Sequence, residues 1–106
     1  MSLREAQHTV DQWVDQFEVG YFPPLANVAR LAEEVGELAR EINHQCGPKQ
    51  KKAGEPEGSI AMELADILLV VICIANSQKI DLDDAFTRMM AKVTSRDAAR
   101  WTRKAR

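Results

Sequence analysis

The apolar residues of this 106-residue chain recur at helical rather than alternating spacing, and they mark out four segments. Ser2 followed by Glu5 has the form of a capping box, in which hydroxyl and carboxylate each satisfy an amide that the first helical turn leaves unpaired. A first helix is therefore predicted to run to about Glu18. Gly20 and Pro23-Pro24 end it, because neither residue type continues a helix comfortably. Val28, Leu31, Val35, Leu38 and Ile42 then form the apolar stripe of a second helix, from about Leu25 to Cys46. The stretch 47–58, with three Gly, two Pro and three Lys, reads as a loop. Ser59 is placed to cap a third helix, Ile60 to about Lys79, which is apolar almost all round and so expected at the centre. Asp81 caps a fourth, with Asp84 in its first turn. The expected architecture is one all-α domain over 1–106, like a four-helix bundle, with no internal repeat. A chain this short buries a small fraction of its surface, so dimers or tetramers joined through apolar helix faces are expected.

Composition changes this picture little. Hydrophobic residues make up 45% and charged residues 28%, the balance of a globular rather than a disordered chain. The longest apolar run, Ile67 to Ala75, is nine residues and too short to span a bilayer. The N-terminus does not resemble a signal peptide, and the expectation is a cytoplasmic protein without a membrane partner. Cys46 and Cys73 share no zinc or redox spacing, and Cys73, inside the apolar run, reads as a reduced, buried thiol. Charge is more informative, because the net −2 conceals an asymmetry. From Arg88 onward seven bases face one acid, Asp97, whereas the other 87 residues carry fifteen acids against seven bases. The basic tail, 97–106, reads as a solvated arm or as a device for holding an anion over an acidic body.

The candidate chemistry lies in the second and third helices. At about 100° per residue, with Glu34 at the origin, Glu41 falls near −20°, Glu37 near −60° and Glu33 near −100°. The four carboxylates thus crowd one flank beside the apolar stripe, with Arg30 placed to pair with Glu34. Glu63 and Asp66 stand three residues apart in a helix whose other faces are apolar. Ionised carboxylates buried there cost several kcal/mol unless something positive compensates, and no Lys or Arg lies three or four residues away from either. Spacing alone leaves two readings open, a structural acidic cluster or a cation site. All-oxygen ligands favour Mg²⁺ or Mn²⁺ over zinc or copper. Neither His8 nor His44 supplies the Glu-x-x-His spacing of di-iron bundles.

Glu33-Glu34-Val35-Gly36-Glu37 followed by Glu63-Leu64-Ala65-Asp66 resembles the E-E-x-x-E … E-x-x-D signature of MazG-like nucleotide pyrophosphohydrolases, in the all-α nucleoside triphosphate pyrophosphatase superfamily. Gly20-Tyr21-Phe22-Pro23-Pro24, Ile80-Asp81-Leu82 and Arg96-Asp97 … Arg100-Trp101 resemble a compact, single-domain branch, so the likeness spans nearly the whole chain. The resemblance implies a magnesium enzyme that splits nucleoside triphosphates into monophosphate and pyrophosphate, by water attack at the α-phosphorus, and a role in nucleotide-pool housecleaning. It implies Glu34, Glu37, Glu63 and Asp66 as metal ligands. Glu33 would hold a further metal or orient the attacking water. No nucleic-acid polymer is implied as partner.

Under the same resemblance the basic tail acquires a role. Arg88, Lys92, Arg96, Arg100 and Lys104 recur every four residues and share a face if the last helix continues that far. Lys92 and Arg96 are the expected phosphate contacts, although many relatives carry a Lys where this chain has Met89. Trp13 and Phe17 lie on one face of the first helix, followed by Tyr21 and Phe22. Aromatics so spaced usually pack in a core, and the alternative is a stacking wall for the base, with Asn27 or Asn76 reading its edge or the ribose. Phosphoribosyl-ATP as substrate, and a non-enzymatic helical dimerisation module with an acidic patch, are the competing functional readings.

Overall fold

The computed structural model describes residues 1–47, 53–54 and 58–105. They form α1 (Leu3–Val14), α2 (Pro24–Cys46), α3 (Ile60–Ser77) and α4 (Leu82–Arg96), with no strand among them. The all-α expectation holds. The predicted loop lies for the most part outside the described residues, Lys49, Lys51 and Lys52 included.

The caps are those the sequence specifies. Ser2 and Glu5 close a complete capping box on α1, Ser59 accepts from the Met62 amide, and Asp81 accepts from the amides of Asp83 and Asp84. α1 ends at Val14 rather than near Glu18, because the chain turns through Gln16 and Phe17 towards Gly20, whose φ of +60° suits a glycine. α4 ends at Arg96 with Asp97 as its cap, so Arg100 and Lys104 do not continue the basic helical face.

Three helices make the body. α2 packs along α3, α1 also packs on α3, and α4 packs appreciably on α1 alone. The core is small and sits mainly on α3, in Val70, Ile72, Cys73 and Ala75, with Val14 from α1. As a whole helix, rather than as its longest apolar run, α3 is long and apolar enough to cross a bilayer. In the fold, α1 and α2 cover its core side while Met62, Leu64 and Leu68 stay exposed.

The buried face of α2 differs from the predicted stripe. Val28, Val35 and Ile42 are exposed, and the residues α2 buries are Asn27 and Glu41. The helix thus turns its polar flank towards α3. Leu25, Val28, Ala32, Val35, Ala39, Ile42 and Cys46, alternately three and four residues apart, face outward. α4 buries no residue, and Phe86 stands 58% exposed. The surface of 8531 Å² exceeds the roughly 6,000 Å² of a folded monomer of this mass. The radius of gyration, 17.8 Å, likewise exceeds the ~13 Å of a compact chain this long.

Candidate metal and nucleotide site

Because α2 presents its polar flank to α3, the carboxylates of the two helices meet in the groove between them. One oxygen each from Glu34, Glu37 and Glu63 lies within 4.8 Å of the others. Asp66 stands near enough to repel Glu34 and Glu63, whereas Glu33 is exposed and outside the group. Burial, followed by the negative charges of Glu37 and Asp66, pushes the Glu34 carboxyl above the usual glutamate range. Glu63 moves the same way for the same causes, with Glu34 adding to them.

The hydrogen bonding carries the same strain. Glu34 Oε2 and Glu63 Oε2 are buried without a partner. Buried polar atoms in folded proteins are nearly always satisfied, so two orphaned carboxylate oxygens at one point need an explanation. A cation in the groove would satisfy both, and the all-oxygen donor set fits a hard divalent ion. Glu41, two turns further along α2, is instead held by a 2.7 Å bond from Gln45. It presses against Gly58, where a Cβ would stand 2.0 Å from its carboxylate.

Beside the carboxylates, towards the N-terminus of α2, a cavity of about 390 Å³ opens between α1, α2 and α3. Trp13 and Phe17 form one wall, edge to face with ring centroids 5.3 Å apart, and Tyr21 and Phe22 belong to another. These aromatics are a lining rather than the core expected from their spacing, with Trp13 56% and Phe17 50% exposed. Cys73 closes the floor, and burial pushes its thiol up. The polar lining includes Asn27, a sequence candidate for reading the base edge or ribose, which is 0% exposed and whose Nδ2 donates to the Phe22 carbonyl at 3.3 Å. Arg30 also lines the cavity. Its guanidinium lies over the Phe22 ring, 5.2 Å from the centroid, instead of forming the expected ion pair with Glu34, which it influences at longer range.

The remaining candidates lie elsewhere. Asn76 does not line this cavity. Its Nδ2 donates to the Gln7 carbonyl and to Tyr21 Oη, and its Oδ1 accepts from Gln7 Nε2, so its amide is fully used inside the fold. Lys92 and Arg96 are on α4, away from the α2–α3 groove, and Arg96 pairs with Asp97 at 3.2 Å. Gln7, fully engaged in a buried network, was missed by sequence reading, since one glutamine on an amphipathic helix gives no signal.

Comparison with known proteins gives the family and the fold. Residues 22–101 match the profile of the MazG nucleotide pyrophosphohydrolase domain. The chain belongs to this family. YpjD of Bacillus subtilis (strain 168), an uncharacterized protein, is 50% identical over 103 residues, 97% of this chain and 93% of YpjD. The crystal structure of YpjD, described as a candidate pyrophosphatase, superposes with a TM-score of 0.78 at 49% identity, covering 87% of this chain and 94% of the other. A Bacillus-conserved MazG protein, a nucleotide pyrophosphohydrolase, gives 0.75 at 47% identity, covering 87% and 88%. The matched MazG segment holds the four clustered carboxylates, Asn27 and Arg30, and begins at Phe22 on the cavity wall.

Proposed function

We propose that this MazG-family protein hydrolyses nucleoside triphosphates between the α- and β-phosphates in a Mg²⁺-dependent reaction, releasing monophosphate and pyrophosphate. Water forms a new bond to the α-phosphorus, the bond to the bridging oxygen breaks, and the proton of the water passes to solvent. The observation that carries the reading is the pair of buried, unpartnered oxygens of Glu34 and Glu63 beside Glu37 and Asp66. These four side chains would hold the cation, which when bound supplies a Lewis acid and a water of lowered pKa. Mn²⁺, with the same preference for oxygen, is the natural substitute. The apolar cavity falls in the size range of small-molecule sites and would take the base, with Trp13 and Phe17 as its wall.

The test is release of pyrophosphate from a panel of common and modified nucleoside triphosphates, with phosphoribosyl-ATP alongside. Release that stops with EDTA and returns with Mg²⁺ is expected; no release from any member would sink the reading.

We assign the exposed stripe of α2 and the apolar face of α4 to a second copy of the chain. The three-four spacing along α2 is the seam two helices share, and the excess surface is on the scale of an obligate interface. Phosphate contact by Lys92 and Arg96 would then be made across that assembly, since α4 does not approach the carboxylates of its own chain. Sedimentation is expected to show a dimer or tetramer that Val35→Glu dissociates. A monomeric wild type would remove this part of the proposal and leave the metal site standing.

A further inference from the structure

Arg30 is the basic side chain lining the aromatic cavity, and its contacts there, with Asn27 and the Cys73 thiol, involve no carboxylate. It is half-buried on α2, one helical turn, about 6 Å along the axis, before Glu34. Nη1 reaches Asn27 Oδ1 at only 3.4 Å, and Arg30 forms no ion pair with a carboxylate among the described residues. A guanidinium carries five donors in a planar fork whose geometry matches phosphate oxygens two at a time. Stacking on Phe22 fixes the plane of that fork without using a donor. Asn27 is itself held by the Phe22 carbonyl and steadies the same side chain from below. The cation therefore stands, oriented and unpaired, between a cavity that suits a base and a cluster that suits metal-bound phosphates.

We propose that Arg30 is a substrate-binding residue that grips the α-phosphoryl group, the one phosphate that the monophosphate product retains. This rests on the functional reading above. With the base in the cavity and the outer phosphates at the carboxylates, the ribose and α-phosphate span the turn that separates Arg30 from Glu34. The same contact holds the monophosphate after pyrophosphate has left, so Arg30 also sets how strongly that product competes with substrate.

The experiment is calorimetric titration of the full chain, with Mg²⁺ present, by the four deoxynucleoside monophosphates and by the corresponding nucleosides. Wild type is compared with Arg30→Met and Arg30→Lys, each checked for folding by its melting curve. The ratio of monophosphate to nucleoside affinity is the readout, because any phosphate contact made through the metal is common to all three proteins. That ratio is expected to fall about tenfold or more in Arg30→Met, the value of one charge-assisted contact, with nucleoside affinity unchanged and Arg30→Lys in between. An unchanged ratio overturns the proposal, as does an equal loss for both ligands, which reports a collapsed cavity wall. Failure of wild type to bind any of these ligands overturns it too. Pyrophosphate release by wild type is scored separately: release with an unchanged ratio removes Arg30's role alone, and a shifted ratio without release removes the hydrolase reading alone.

Discussion

Two polar clusters lie against the same apolar helix, and they are built on opposite terms. Where α1 meets the end of α3, Gln7 Nε2 donates to Asn76 Oδ1 at 2.9 Å and to the Ile80 carbonyl at 2.7 Å, and its Oε1 accepts from the Leu82 amide at 2.9 Å. Tyr21 joins this network between Asp11 and Asn76, and burial followed by the Asp11 contact pushes its phenol up to about 12. Nearly every donor has an acceptor, and the one carboxylate in the network, Asp11, is exposed to solvent. Where α2 meets the beginning of α3, like charges face one another and two buried oxygens have no partner. A satisfied network fixes a fold. Under the function proposed above, the frustrated one is where a cation would be held, and that asymmetry would separate scaffold from site.

The largest expected effect breaks the second cluster. Asp66→Asn or Glu37→Gln should lower pyrophosphate release by about 100-fold or more, because ligand and charge are lost together. In metal-free protein the same variants should raise the melting temperature, since each removes a repelling charge. Mg²⁺ at a hundred times its Kd should stabilise wild type by about 2.7 kcal/mol, and much less in either variant. A lowered melting temperature in the metal-free variants would show that the carboxylates hold the fold together.

Gln7→Ala should give the opposite pattern. It strands the Asn76 oxygen and the Leu82 amide and should cost about 1–3 kcal/mol, roughly 4–8 °C of melting temperature per kcal/mol. Activity per folded molecule should remain near wild type. A selective loss of turnover with unchanged stability would move Gln7 from scaffold to site.

Acidity gives the smallest and sharpest contrast. Glu34 and Glu63 titrate above the usual glutamate range in the fold, so their contribution is fully present below that range and is lost as pH rises through the raised values. Asp81, held low first by Arg4, contributes above the usual aspartate range and loses it only as pH falls through its lowered value. Metal-free protein should therefore gain stability as pH falls from neutral towards the ordinary glutamate range, and Mg²⁺ should cancel the gain. A metal-free melting temperature that drops steadily over that interval would contradict the frustrated cluster.

What could be read from the sequence depended on the range of the interaction. Ser2 with Glu5, Ser59 and Asp81 act within one helical turn, so they fixed three helix starts without any tertiary partner. Glu63 and Asp66 were legible for a related reason: an apolar helix with no base within four residues leaves their charge unanswered locally, whatever surrounds them. The stripe Val28–Val35–Ile42 was legible as apolar and misread as core, because periodicity names a face but not its neighbour. Only the packing decided that α2 turns its carboxylates towards α3 and its aliphatic seam outward. Only the packing, too, moved Asn76 from ligand reader to scaffold and set Arg30 on the cavity wall. Each of those outcomes depends on partners far apart in sequence, on different helices or around a turn, and helical spacing records nothing of them.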